Sequence, residues 1–335
     1  MSTAPAIELS RLTKTFRVRR ARGTSLGARV SGFFAPGTES VLAVDAVSFR
    51  IDPGERVAFI GPNGAGKSTT LKMLAGILRP DAGEARVLGL SPWHERRRLS
   101  FSVGTVFGQR SQLWYHLPAR DTFDLFASVY ELSPAEHRRR VDALVTAFSL
   151  GDLLDKPVRQ LSLGERMRCE VAASLIHRPR ILFLDEPTIG LDVTAKAVIR
   201  ELLQHIAEKD GATLLLTSHD TGDIERVCDR VIVIHRGRVL LDGPIDALRL
   251  RYGKTRRITL VTTAESVTLA LPGIRVLATA PHRLTLEVDT GRLSVGALVD
   301  AALKQTALRD LSVEDPPLDE VIRALYAGAE SEAVP

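Results

Sequence analysis

Residues 61–69 read GPNGAGKST and lie between the apolar run RVAFI (56–60) and the segment STTLKMLAGIL (68–78). The nine residues fit the spacing G-x-x-x-x-G-K-[ST], and their flanks supply the strand before and the helix after that this spacing requires. The helix shows in Leu71, Leu74, Ala75 and Leu78, and RPDAGEA stops it with Pro80 and Gly83. Gly61, Gly64 and Gly66 let backbone N–H groups turn inward around phosphates, in a loop that runs through Pro62, Asn63 and Ala65 to Thr69. Lys67 adds a fixed positive charge at the β and γ groups. Ser68 offers a hydroxyl to Mg²⁺, and the helix behind presents its positive end.

Working outward, VLAVDAVSFRIDPGERVAFI (41–60) reads as strand, turn at DPG, strand. From about Leu113 to Arg178 the chain turns helical and arginine-rich: DTFDLFASVY and RRRVDALVTAFSL place apolar residues three and four apart. Continuous apolar runs return in ILFL (181–184), TLLLT (213–217) and RVIVI (230–234), as suits strands covered on both faces in a parallel sheet. The expected fold class is α/β, a P-loop NTPase with a helical subdomain over about 113–178. The character changes near Lys254, where alternating runs (Ile258–Val261, Val267–Leu271, Leu284–Val288) precede two helical segments. The first, SVGALVDAALKQ, has Ser294 as its N-cap; the second, PPLDEVIRALY, opens with prolines and acids as a helix start does. A first domain over 1–253 and a small C-terminal α+β domain over 254–335 are expected.

A chain of 335 residues, 44% hydrophobic, is long enough for one large domain and a small one. Two cysteines, Cys169 and Cys228, stand far apart without metal-ligand spacing, which argues against a disulfide scaffold or a zinc site and for a reducing compartment. No apolar run approaches the roughly 18 residues of a membrane span, and the N-terminus lacks a signal-peptide pattern, so a peripheral membrane role is the expectation. The net charge of +5 is mild, yet Lys14, Arg17, Arg19, Arg20, Arg22 and Arg29 crowd one segment. Residues 17–40 are read as a basic insertion. Its arginines and Phe33/Phe34 suit the inner leaflet, where anionic lipid attracts about 1 kcal/mol per basic residue, or the cytoplasmic end of a membrane subunit; a solvated loop is the plainer alternative.

ILFLDEP (181–187) supplies the partner of the phosphate loop. A buried strand ending in Asp185 holds a carboxylate near Mg²⁺, and Glu186, one residue on, is aimed at an attacking water as general base. An acid at the end of a buried strand is costly without such a use. With the loop, the acid pair and the ensuing GLD in this order, residues 1 to about 250 resemble the ATP-binding subunit of an ABC (ATP-binding cassette) transporter. The resemblance implies an ATPase using ATP and Mg²⁺. It implies a head-to-tail dimer, expected as a homodimer, in which each nucleotide lies between one chain's phosphate loop and the other's signature. It assigns Phe16 to adenine stacking, and Gln109 in VFGQRSQLW to the Q-loop glutamine that senses Mg²⁺, with Gln112 as a nearby alternative. His219, ending LLLTSH, matches the histidine that contacts the γ-phosphate, and Asp192 matches the D-loop.

LSLGERMRCE (161–170) resembles the signature LSGGQ, with Leu163 in place of the first glycine. Helix-end geometry accounts for the exchange: Ser162 caps, Glu165 at N3 reaches back, and Leu163 is the first helical residue, with ordinary φ and ψ. The close backbone approach to an opposing γ-phosphate then falls at Gly164, so Ser162 and Gly164 remain competent. FGQRSQLW, LSLGERMRCE, DEPTIGLD and the C-terminal module together resemble bacterial ABC drug and viologen exporter ATPases, which implies multi-span membrane permease subunits as partners at the cytoplasmic side of the plasma membrane. QLWYHLP supplies apolar and aromatic side chains where the permease docks in that family. Polysaccharide-export ATPases, which share an N-terminal insertion, are the alternative cargo class. Soluble ABC-type ATPases acting on nucleic acid or ribosomes are a second class. Their coiled-coil insertion, zinc cysteines or tandem cassettes are missing from this sequence, so no nucleic acid is expected as a partner.

Overall fold

In the computed structural model, which describes residues 4–19, 38–108, 110–252, 255–315 and 317–331, the chain divides into two compact units, 1–242 and 243–335. Most of the basic insertion and Gln109 lie outside the described residues. The strands of the first unit are β1 (Ile7–Arg19), β2 (Thr38–Ile51), β3 (Arg56–Ile60), β4 (Ala82–Val87), β5 (Val103–Phe107), β6 (Ile181–Asp185), β7 (Thr213–Thr217), β8 (Arg230–His235) and β9 (Arg238–Pro244). Among the described residues they form a six-stranded sheet of order β5-β6-β7-β3-β8-β9 and a three-stranded one of order β2-β1-β4. The neighbours from β5 to β8 run parallel, and all five residues of β7 are buried, as the continuous apolar runs require.

β2 and β3 are joined by the expected turn, where the Asp52 N–H donates to Glu55 Oε2 at 2.7 Å and Gly54 takes φ 81°. They nevertheless enter different sheets: β2 pairs antiparallel with β1, whereas β3 takes the centre of the parallel sheet. One core seals the two sheets, with Leu9, Leu12, Val47 and Phe49 on one side and Phe59, Phe183 and Leu215 on the other. The Phe49 and Phe59 rings lie 5.6 Å apart.

The helices of this unit are α1 (Lys67–Leu74), α2 (Arg96–Ser100), α3 (Ala119–Val129), α4 (Pro134–Phe148), α5 (Leu163–Ser174), α6 (Val193–Asp210) and α7 (Thr221–Val227). The expected helical stretch is filled by α3, α4 and α5, with one 3₁₀ turn at Val158–Gln160. Ser133 and Pro134 start α4, and Ser149 ends it in the left-handed region at φ 51°.

The second unit opens with α8 (Ile245–Tyr252), which packs against α10 (Leu318–Ser331). The division thus falls about ten residues before the expected 253/254 boundary. Between the two helices, β10 (Thr255–Thr262), β11 (Ile274–Ala280), β12 (Arg283–Asp289) and β13 (Leu308–Glu314) form an antiparallel sheet of order β11-β12-β10-β13. Helix α9 (Val295–Leu303) is capped by Ser294. Val267–Leu271, expected as a strand, is not one; Leu269 is buried without pairing. Two strands without apolar alternation, β11 and β13, edge the sheet instead and are exposed along nearly their whole length, so they carry little pattern to read. No helix among the described residues is long and apolar enough to cross a membrane.

Candidate functional site

The carboxyl ends of β3, β6 and β7 meet at one place, as parallel sheets dictate for adjacent strands. From β3 the chain enters the 61–69 loop and then α1. Gly66, the N-cap of α1, sits at φ 106°, and a Cβ there would lie 2.4 Å from the Ala43 carbonyl, so both backbone and space demand glycine. Gly64 differs: it takes φ 81°, but a Cβ there would meet no atom of the chain within 4 Å. At Gly64 the backbone alone calls for glycine, and the open space beside it is where a phosphate could approach. The first turn of α1 holds no acid, which leaves its positive end free for an anion. Lys67 is nearly fully buried. Its ammonium donates to Gly61 O at 2.6 Å and Pro62 O at 3.2 Å, and lies 3.4 Å from His219 Nε2. Burial pulls this lysine below its usual range, opposed by the Glu186 and Asp185 carboxylates. The charge is held in the loop by the Gly61 and Pro62 carbonyls, which suits it to a phosphate.

Asp185 ends β6, and its Oδ1 accepts from Ser68 Oγ at 3.0 Å and Thr217 Oγ1 at 2.7 Å. Glu186 follows in the left-handed region at φ 54°, a conformation that costs a non-glycine residue of order 1 kcal/mol or more and persists where neighbours enforce it. Here the enforcement comes from Thr217, whose carbonyl and hydroxyl oxygens both accept from the Glu186 N–H at 3.0 and 3.1 Å. The turn directs Glu186 Oε1 to within 2.9 Å of His219 Nε2, while the Gly108 N–H holds the Asp185 carbonyl at 2.8 Å.

The donor set, one hydroxyl and one carboxylate with a second carboxylate beside them, is hard and oxygen-only. Among the described residues no group of three or more His, Cys, Asp and Glu side chains could cage a metal. Mg²⁺ needs no such cage: it keeps waters and takes phosphate oxygens alongside one or two protein ligands, so Ser68 and Asp185 fit it. Gln109 lies outside the described residues. The alternative, Gln112, is already engaged: its Nε2 donates to Thr105 O and its N–H to Glu170.

Ser162, Gly164 and Asp192 form a second group. Ser162 and Glu165 make a complete capping box, the Glu165 N–H donating to Ser162 Oγ at 3.2 Å and the Ser162 N–H to Glu165 Oε2 at 2.8 Å. That backbone bond draws the Glu165 carboxyl below its usual range. Leu163 is the first residue of α5, as expected. A Cβ on Gly164 would lie 2.8 Å from the Ala195 Cβ of α6, and Asp192 caps that helix by accepting from Ala195 N at 2.8 Å. Among the described residues, no hydrogen bond runs from Ser162, Gly164 or Asp192 to Lys67, Ser68, Asp185, Glu186 or His219.

Phe16 sits on β1 opposite Val41, half-buried, with the Lys14 ammonium 5.8 Å from its ring centre. Val41 is two residues along the strand from Ala43, whose carbonyl is the neighbour of Gly66, and Val41 and Leu42 are both exposed.

Sequence reasoning missed Thr217 and a buried carboxylate, Asp223. Asp223 accepts from Thr188 Oγ1, Ser218 Oγ (2.6 Å) and Arg200 Nε (2.6 Å), and so ties the residues after Glu186 to those before His219 and to α6. The acid in SHDTGD, four residues past the histidine, was the available signal.

The ABC transporter family model matches residues 44–189. The daunorubicin resistance ATP-binding protein DrrA3 of Streptomyces coeruleorubidus is 34% identical over 284 residues, covering 83% of this chain and 89% of that protein. The ABC transporter ATP-binding protein NatA of Bacillus subtilis is 35% identical over 208 residues, 62% of this chain and 84% of that one. The Nod factor export ATP-binding protein I of Paraburkholderia xenovorans is 38% identical over 205 residues, 61% and 67%. Among solved structures, a dimeric ATP-binding cassette in a post-hydrolysis state bound to ADP and Pi matches with a TM-score of 0.60 and 26% identity, over 71% of this chain and 98% of that one.

Proposed function

We propose, for a chain that belongs to the ABC transporter family as an exporter-type ATP-binding subunit and hydrolyses ATP, that it works as a dimer on the cytoplasmic side of the plasma membrane and drives multi-span permease subunits. The observation that carries the reading is the meeting of Lys67, Ser68, Asp185, Glu186 and His219 at the ends of three parallel strands. Residues 61–69 take the phosphates on backbone N–H groups, and Lys67 leaves Gly61 O for a phosphate oxygen. Phe16 stacks on the adenine. Ser68 and Asp185, with Gln109 as the resemblance implies, would hold Mg²⁺, which when bound would neutralise charge on the phosphates. Glu186 accepts the proton of the attacking water, and His219, now on Glu186, turns to the γ-phosphate. Ser162 and Gly164 of a second copy close over the nucleotide, with Asp192 at the same interface; that the ADP-bound relative is dimeric supports dimerisation. Trp114, Tyr115 and Leu117, all exposed, offer the permease an apolar face. Efflux as the direction of transport is supported by the resistance and export functions named for the relatives.

The test is Glu186→Gln in the purified chain. ATP affinity is expected to stay, because Lys67 and the loop amides remain, while turnover drops by on the order of a hundredfold or more and ATP-bound dimers accumulate. Lys67→Ala should weaken ATP binding itself. Near-normal turnover in Glu186→Gln would remove Glu186 from this role.

A further inference from the structure

Glu170 lies in the middle of α5 between Cys169 and the run Val171–Ser174, all buried, and is itself 4% exposed. A carboxyl in such surroundings is costly unless donors converge on it. They do, and all come from one short stretch of chain. The Ser111 hydroxyl donates to Oε1, and the Gln112 N–H is shared by both carboxylate oxygens at 3.1 Å. The Leu113 N–H donates in turn to Ser111 Oγ at 3.1 Å. Burial raises the Glu170 carboxyl above its ordinary range, and the Ser111, Gln112 and Leu113 donors oppose that rise.

The same stretch is fastened a second time. The Arg159 N–H donates to Tyr115 O at 2.9 Å and the Val158 N–H to Leu117 O at 3.0 Å, three and four residues before the Ser162 cap of α5. The exposed Trp114, Tyr115 and Leu117 are therefore carried on a strap tied to α5 at its middle and just ahead of its N-terminus.

We propose that Glu170 is a positioning residue: it locks Ser111–Leu113 to α5, so that the Trp114–Leu117 face and the Ser162–Gly164 helix end move as one body. The inference rests on the reading of that helix end as part of a composite ATP site. Its role is indirect. Glu170 is buried and its bonds go to Ser111 and Gln112, so its loss acts on how α5 is presented for dimer closure.

The experiment uses the full chain with Glu170→Ala, Glu170→Gln, Ser111→Ala and the Glu170→Ala/Ser111→Ala double variant. Turnover, KM and the affinity for ATP are measured alongside melting temperature. For Glu170→Ala we expect ATP affinity within about twofold of the parent and turnover down about tenfold; Glu170→Gln, which keeps one acceptor oxygen, should recover most of that loss. The double variant should fall well short of the product of its single effects, since both changes break one contact. Parent-like turnover in a folded Glu170→Ala, or strictly multiplicative effects in the double variant, overturns the proposal. Should Glu170→Ala fail to fold, Ser111→Ala decides it, with kcat expected to fall at parent-like ATP affinity: parent-like kcat there sinks the idea. A parallel Glu186→Gln sample separates the two readings, because parent-like turnover there discredits the ATP site and not Glu170 alone.

Discussion

At the residue scale, the corner that holds Asp185 and Glu186 depends on one side chain that carries no charge. The Thr217 hydroxyl donates to Asp185 Oδ1 and accepts from the Glu186 N–H, so it holds one carboxylate and the strained backbone of the next residue at once. Thr217→Val keeps the shape and removes both bonds. We expect ATP affinity to change little, because the Lys67 loop is untouched, and turnover to fall about tenfold as Glu186 loses its setting; steady-state kinetics with equilibrium nucleotide binding checks the split. Parent-like turnover would show that the Thr217 carbonyl suffices. Asp185 and Glu186 were legible as candidates because an acid pair closing an apolar strand has few structural reasons to exist. Thr217 was not, because a threonine at the end of TLLLT reads equally well as an ordinary β-former.

At the element scale, the start of α5 was readable from local chemistry alone. A capping box needs only Ser162 and Glu165 three residues apart, and Leu163 falls in the first turn as that geometry requires. The sequence assigns the demand for glycine at 164 to an opposing phosphate, but the structure adds a nearer cause, the Ala195 Cβ of α6. That contact is tertiary and leaves no local trace. The two causes separate experimentally. Gly164→Ala should destabilise the chain or slow turnover by pushing α5 off α6, and Ala195→Gly in the same chain should restore what packing alone had cost, on the order of 1–3 kcal/mol. If the double variant melts like the parent yet still fails to form ATP-dependent dimers, the phosphate approach is an independent constraint. If it recovers both, packing is the whole reason.

At the scale of the whole molecule, stability toward acid and the division into units can both be argued from burial. His177 is buried, stacks on Tyr130 at 3.8 Å between ring centres and places Nε2 3.1 Å from Val103 O. Burial lowers it from 6.5 to about 4 in the folded chain. The unfolded chain therefore binds this proton first. Stability is full above about pH 6.5 and is lost progressively as pH falls toward 4, below which this contribution levels off. Melting temperatures from pH 7 to 5 should fall more steeply in the parent than in His177→Phe, which keeps a ring against Tyr130 and cannot titrate; equal slopes would exonerate His177.

The two-unit division was legible only in outline, because GPIDALRLRYG reads as the end of the first domain in sequence while its helix α8 packs on α10 of the second unit. Ile245 and Leu248 of α8 are both buried. A chain cut after residue 253 keeps α8 but loses α10, the helix it packs against, and each apolar side chain that this uncovers costs about 1.5–3 kcal/mol if fully exposed. A chain cut after Pro244 keeps all of β9 and ends before Ile245 and Leu248. Every residue assigned here to ATP lies before position 220, so both truncated chains should hydrolyse ATP if the first unit folds alone. The shorter one should be the more soluble and should melt no lower. If the chain ending at 253 melts higher instead, α8 stabilises the first unit, and the boundary belongs where the sequence first suggested it.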